Sequence, residues 1–126
     1  MSIPPATIAR LIAGELSVLS DDSVKQAVLH GLVDPRPIPL DWDYGTLGQQ
    51  FEGWVVFDHE AESDTLIVYC EHGFGPRSPW GLVFATPHQG NRSMGMDSGW
   101  FRSFMEAFWD SHAATPLAQS GQSESR

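Results

Sequence analysis

Cysteine is almost absent from this sequence. Cys70 is the only cysteine among the 126 residues, so no disulfide can form within the chain. A domain of this length buries roughly two thirds of the surface that its unfolded chain exposes, which is enough for a core without covalent support. A single thiol in such a domain is typical of a reducing compartment, and we expect the protein to be cytoplasmic.

Long apolar segments are missing as well. The most apolar region of the N-terminal part, residues 8–19, is interrupted by Arg10 and Glu15 and is too short to span a bilayer. The first five residues contain no basic residue of the kind that begins a secretory signal. We therefore expect a soluble protein that does not associate with membranes.

Basic residues are scarce and unevenly placed. The chain has 7 Lys and Arg against 16 Asp and Glu, which gives a formal net charge of −9 and a pI near 4.7. Between Arg36 and Arg77 there is no lysine or arginine at all. The acids in that interval are Asp41, Asp43, Glu52, Asp58, Glu60, Glu62, Asp64 and Glu71. The alternative explanation is that acidity serves solubility alone, but solubility does not require such segregation. A strongly acidic surface repels nucleic acid and attracts basic proteins, so we expect a basic protein partner and no nucleic acid.

Helical periodicity marks the N-terminal third. Pro4 and Pro5 suit a helix start, and apolar residues then recur at helical spacing up to Leu19. Ser20-Asp21-Asp22 offers an N-cap for a second helix, and Gly31 lies near its end as a C-cap. The sequence thus predicts an N-terminal helical hairpin.

Prolines dominate the next segment. The run Asp34-Pro-Arg-Pro-Ile-Pro fixes φ at alternate residues and removes backbone donors, which predicts an end to regular structure. Residues 34–48 are therefore expected to form an extended connector within the domain.

Three segments have the composition of β-strands. Phe51–Phe57 and Thr65–Cys70 are rich in aromatic and β-branched residues, and the polar residues 58–64 between them predict an antiparallel hairpin with an acidic tip. A third strand is expected at Trp80–Thr86. All three are apolar at successive positions, so at least one should be covered on both faces.

The strongest periodic pattern lies near the C-terminus. Apolar residues at 101, 104, 105, 108 and 109 predict a helix over residues 99–112 packed on the sheet, with Asp97 and Ser98 as caps. The predicted fold is α+β: a helical hairpin, an antiparallel sheet of three or more strands and a C-terminal amphipathic helix. Residues 1–112 form the single domain, and residues 113–126 are expected to be a disordered polar tail.

Enzyme motifs are absent, although one group of residues is chemically competent. Cys70 and His72 alternate at a strand end, and His59 or His88 could complete a nucleophilic or metal site with them. However, the paired ligand spacing of zinc sites is missing, and a strand offers no helix N-terminus to lower the thiol pKa. We predict no catalytic residue, no metal ligand and no cofactor. The alternative is a small enzyme or metal-dependent domain that uses Cys70, His72 and His88.

The segment Asp41-Trp42-Asp43-Tyr44 is the best candidate for a binding site. It places two large aromatic residues between acids, and such residues dominate protein interfaces, while carboxylates complement a basic partner. In the structural alternative, Trp42 folds back over the sheet while the two acids face water. The candidate partner-binding residues are Asp41, Trp42, Asp43, Tyr44, Asp58, Glu60, Glu62, Asp64 and Glu71.

Three short segments give the chain a family resemblance. They are Trp80-Gly-Leu-Val-Phe84, Met94-Gly-Met-Asp-Ser-Gly-Trp-Phe101 and Glu106-Ala-Phe108. In a small acidic α+β chain, they resemble the immunity proteins of bacterial toxin–immunity systems. The resemblance covers about residues 49–112, and no functional residue is carried over from it. It implies a bacterial protein that binds a cognate toxin, often a basic nuclease, and blocks it without catalysis. A scaffolding subunit with no inhibitory role is the third possibility.

Overall fold

Helices occupy the two ends of the part of the chain that the structure describes, and strands lie between them. The structure is a computed structural model, and it describes residues 4–42, 49–59, 65–72, 77–83, 92–93 and 99–114. In chain order the elements are α1 (Pro5–Ser17), α2 (Asp22–Gly31), β1 (Leu32–Asp41), β2 (Gln50–His59), β3 (Thr65–Tyr69), β4 (Trp80–Val83), β5 (Arg92–Ser93), β6 (Gly99–Phe101), α3 (Phe104–Asp110) and a 3-10 helix (His112–Ala114).

The strands form one sheet in the order β5-β1-β2-β3-β4-β6. All neighbours are antiparallel except β5, which runs parallel to β1 over two residues. The predicted α+β fold is therefore confirmed, and so is the antiparallel pairing of the two strands on either side of residue 60. The predicted acidic tip, residues 60–64, lies outside the described residues.

The proline-rich segment is a strand, so the predicted connector over residues 34–48 is wrong for its first part. β1 pairs with β2 from Arg36 to Asp41, and Pro37 lies opposite Trp54. The prolines at 35, 37 and 39 are two residues apart, so their nitrogens point to the same edge of the strand. That edge faces away from β2, and its described pairs with β5 are at Leu40 and Asp41, beyond the last of the three prolines, so the ladder needs no N–H donor at the prolines. Residues 43–48 lie outside the described part.

Both N-terminal helices start as the sequence predicts. Pro5 is the first residue of α1, and the Ser23 backbone N–H donates to Asp21 Oδ1 at 3.0 Å to cap α2. Hydrogen bonds from Ser23 lower the pKa of Asp21. Gly31, expected as a C-cap, instead allows close packing: a Cβ there would lie 2.6 Å from the Phe57 ring.

The C-terminal helix is shorter than predicted. It begins at Phe104 and ends at Asp110, while Gly99–Phe101 form β6 against β4. The cap is Ser103, whose Oγ accepts from the Glu106 N–H at 3.2 Å, while the Glu106 carboxylate accepts from the Arg102 N–H at 3.2 Å. This reciprocal pair fixes the helix start at 104. The predicted caps Asp97 and Ser98 lie outside the described residues.

The sheet separates two apolar clusters. We call its two sides the helix face, on which α1, α2 and α3 pack, and the far face. Side chains on the helix face include Ile67, Tyr69 and Trp80, whereas Leu66, Val68 and Cys70 are on the far face. Every residue of β3 is buried, so the expected strand covered on both faces is confirmed.

Aromatic rings join α3 to the helix face. Phe57 meets Phe104 at a centroid distance of 6.1 Å and Phe108 at 5.7 Å, both edge to face. Trp80 contacts Phe104 at 5.9 Å. Phe104 and Phe108 are 0% exposed, as predicted, whereas Trp109 is 46% exposed. Edge-to-face pairs add to the burial energy of each ring.

Glu15 of α1 binds the start of α3. The backbone N–H groups of Phe104 and Met105 donate to its two carboxylate oxygens at 3.0 and 2.9 Å. The first N–H groups of a helix have no partner within the helix, and the positive end of its dipole favours an anion. Glu15 therefore fixes α3 on the sheet from a position about 90 residues earlier in the chain.

The packed domain extends slightly beyond its predicted limit. The 3-10 helix reaches Ala114, which is buried, whereas the polar tail was expected from residue 113. Residues 115–126 lie outside the described part. None of the helices that the structure describes is both long enough and apolar enough to cross a membrane.

Truncating a buried phenylalanine of α3 should destabilise the domain strongly. We expect Phe104→Ala or Phe108→Ala to lower the free energy of unfolding by about 3–5 kcal/mol, because each leaves a cavity between α3 and Phe57. Urea denaturation measures the loss, and Leu29→Ala, at a position 46% exposed, is the matched control. Losses below about 1 kcal/mol for both phenylalanines would contradict this description of the core.

Removing the Glu15 carboxylate should also destabilise the domain. Glu15→Gln keeps the shape but removes the negative charge and replaces one acceptor oxygen by an NH2 group that cannot accept, so we expect a loss of about 1–3 kcal/mol in the free energy of unfolding. Glu52→Gln, at an exposed strand position, is the control and should change stability little. Equal small effects of the two substitutions would mean that Glu15 does not hold α3.

Candidate protein-binding surface

Acidic side chains meet on the helix face at the β1–β2 end of the sheet. Asp41 lies opposite Gln50 and Pro39 lies opposite Glu52. These positions alternate with far-face residues, so their side chains share the helix face. The Gln50 Nε2 donates to Asp41 Oδ1 at 2.7 Å, which orients that carboxylate. Asp41 is half-buried and Glu52 is exposed.

Glu71 adds a third acid from the end of β3. It follows Tyr69 by two residues and accepts a hydrogen bond from the Tyr69 hydroxyl. Burial, together with the Glu71 charge, raises the pKa of Tyr69 to about 12. Tyr69 therefore stays protonated near neutral pH and holds the Glu71 carboxylate. We call Asp41, Glu52 and Glu71 the acidic sheet end.

A shallow depression of about 450 Å³ runs along the same end. Its lining residues are Pro37, Ile38, Pro39, Gln50, Phe51 and Glu52. Prolines and the apolar Ile38 and Phe51 make up most of its lining, and Glu52 is the one acid among these residues. The sequence prediction missed Glu52, Gln50 and the prolines as site residues, because the connector interpretation hid the strand that aligns them.

Trp42 lies on the opposite side of the sheet from Asp41. Its ring is 5.5 Å from Phe51, which stacks in turn on His72 at 5.5 Å. Trp42 is half-buried and packs on the far-face cluster with Phe51. This geometry matches the structural alternative, in which Trp42 covers the sheet. Adjacent residues of a strand point to opposite faces, so Trp42 and Asp41 cannot form one flat patch.

Asp58 is separated from the acidic sheet end. It is paired with Leu66, a far-face residue, and its Oδ2 lies 2.9 Å from the Arg36 Nη2. Arg36 therefore neutralises Asp58 locally, which makes it a weak candidate for attracting a partner. The remaining predicted residues, Asp43, Tyr44, Glu60, Glu62 and Asp64, lie outside the described residues.

A short strand, β5, lies beside the end of β1. The backbone of Arg92 in β5 pairs with Leu40, and that of Ser93 pairs with Asp41. No pattern in the sequence predicted this two-residue strand.

Cys70, which the enzyme alternative requires, has the surroundings of a core residue. Cys70 is 2% exposed, and its Sγ lies 3.7 Å from the Glu52 carbonyl oxygen and 3.8 Å from that of His72. Burial raises the pKa of the Cys70 thiol, whereas a nucleophilic cysteine needs a lowered one. The His72 ring is stacked on Phe51, and His88 lies outside the described residues. Across the described ranges, no three His, Cys, Asp or Glu side chains group together as metal ligands would.

Comparison of this chain with protein-family models, curated proteins and solved structures gave no match.

The Cys70 thiol should react slowly in the folded protein. Its burial and raised pKa keep the thiolate scarce, so we expect alkylation by iodoacetamide at pH 8 to be at least about tenfold slower than in denaturant. Mass spectrometry over time measures the rate. Equal rates in both conditions would place the thiol at the surface and restore the enzyme alternative.

Proposed function

We propose that this protein is a non-enzymatic binding protein of the immunity type, which neutralises a basic toxin in the bacterial cytoplasm. One observation supports the proposal above all: eight acids and no lysine or arginine lie between Arg36 and Arg77. Those of them that the structure describes lie on three adjacent strands or at their ends. A basic nuclease is one class of toxin that such a surface would attract.

The acidic sheet end is the most suitable docking region. Asp41 and Glu71 are held by Gln50 and Tyr69, so their carboxylates are already oriented before a partner arrives. Preorganised charges lose less conformational entropy on binding than mobile ones. The prolines beside them keep the depression rigid. The predicted residues 43, 44, 60, 62 and 64 remain part of the proposed surface.

Trp42 takes a supporting role in this proposal. It is half-buried against Phe51, so it holds the end of β1 from the far face. Its exposed part can still meet a partner that wraps around the end of the sheet. Replacing it should therefore affect both stability and binding.

Substitutions of the acids and of Trp42 should separate the role of charge from that of the aromatic contact. We expect Asp41→Asn, Glu52→Gln and Glu71→Gln together to slow association with the basic partner purified from cells and to flatten its salt dependence. Trp42→Ala should mainly speed dissociation, at a cost of about 2 kcal/mol in binding free energy. Surface plasmon resonance at two salt concentrations measures both rates. Asp22→Asn, an exposed acid on α2, is the control.

Two outcomes would contradict the proposal. If neither variant changes the rates, the interface lies elsewhere on the protein. If the partner binds but keeps full activity when the protein is in excess, the protein is a scaffolding subunit instead of an inhibitor. The activity assay of the partner therefore accompanies the binding measurement.

A further inference from the structure

The surface of α3 that faces away from the sheet is apolar at its centre. Phe104, Ala107 and Phe108 are buried against the sheet, whereas Trp109 is 46% exposed. A depression of about 440 Å³ lies beside it. Its lining residues are Phe101, Ser103, Met105, Glu106, Trp109 and Asp110. We call this feature the α3 depression.

Trp109 contacts the core in spite of its exposure. Its ring meets Phe108 edge to face at a centroid distance of 5.6 Å, and Phe108 is fully buried. The first turn of the same helix is bound by Glu15. A half-exposed tryptophan beside a shallow depression is typical of the centre of a protein interface.

Acids at the rim select the partner. Glu106 and Asp110 are one helical turn apart and both exposed, so their carboxylates flank the depression on the same side of α3. One Glu106 oxygen accepts from the Arg102 N–H, which orients the group. A guanidinium can stack on the Trp109 ring while it pairs with a carboxylate, and arginine does this better than lysine.

We propose that the α3 depression binds an arginine-containing basic segment of a partner protein. A second copy of this chain is the less favourable occupant, because two acidic rims and a net charge of −9 on each copy would repel. Nucleic acid is disfavoured for the same reason. This proposal rests on the proposed function only in taking a basic protein as the partner, and it assigns a surface distinct from the acidic sheet end.

Labelled peptides provide the direct test. The probe is a short fluorescent peptide in which arginine alternates with leucine, compared with the same peptide carrying lysine in place of arginine. Fluorescence anisotropy with the full chain should give tighter binding of the arginine peptide. Trp109→Ala should weaken that binding by at least about tenfold, as loss of a central anchor does. Asp110→Asn should weaken it less, and its effect should fall as salt is added.

Matched variants decide whether the effect belongs to this surface. Leu29→Ala removes another large side chain of equal exposure, 46%, from a different helix and should leave peptide binding unchanged. Urea denaturation of each variant checks that Trp109→Ala still folds. If Trp109→Ala binds normally, or if Leu29→Ala weakens binding as much, the proposal is wrong.

The acidic sheet end is tested in parallel with the same peptide. If only the combined Asp41, Glu52 and Glu71 variant weakens binding, the α3 depression is not the site and the proposed function still stands. If wild-type protein binds neither peptide, the α3 proposal fails. The proposed function is then tested separately, by binding to the basic partner purified from cells. If dimerisation is detected by sedimentation and Trp109→Ala abolishes it, a second copy is the occupant and the proposal is overturned.

Discussion

The Glu15 carboxylate, bound to the first two N–H groups of α3, is the contact on which the helix face depends. A helix of seven residues is too short to be stable alone, so its position must come from tertiary contacts. Glu15 supplies an anion where the helix dipole is positive, and Phe104 and Phe108 then reach Phe57. The half-exposed Trp109 is held in place by the same arrangement. Stability and the shape of the α3 depression thus share one cause.

At the other end of the sheet, prolines determine the structure of β1. Prolines at positions 35, 37 and 39 leave one edge of β1 able to pair with β2, whereas the described pairs on its other edge, with β5, are at Leu40 and Asp41. The same strand aligns Asp41 with Gln50 and Pro39 with Glu52, and these pairs form the acidic sheet end. A segment whose composition predicts an extended connector therefore lines a depression beside the acidic sheet end.

Local sequence patterns predicted much of the fold, but they failed at β1 and at the residues just before α3. The starts of α1 and α2 and the antiparallel pair β2–β3 follow from capping residues and from β-branched composition. β1 was missed because proline is unfavourable in a strand unless its nitrogen faces a stretch of edge that needs no donor, and the sequence does not reveal strand order. Residues 99–101 were assigned to a helix because Phe101 continues an apolar helical spacing. Their pairing with β4 outweighs that local preference.

By itself the sequence determined the charge, the lone thiol and the types of most elements, because these depend on composition and on short-range periodicity. Tertiary structure alone decided which acids share a surface. A bulge in β2 between Val55 and Phe57 places Val56 and Phe57 together on the helix face. That one extra residue turns Asp58 to the far face, where Arg36 neutralises it, and leaves Asp41 and Glu52 on the other side. The side of a sheet that a residue occupies depends on register, and register is set by pairing between strands that are distant in sequence.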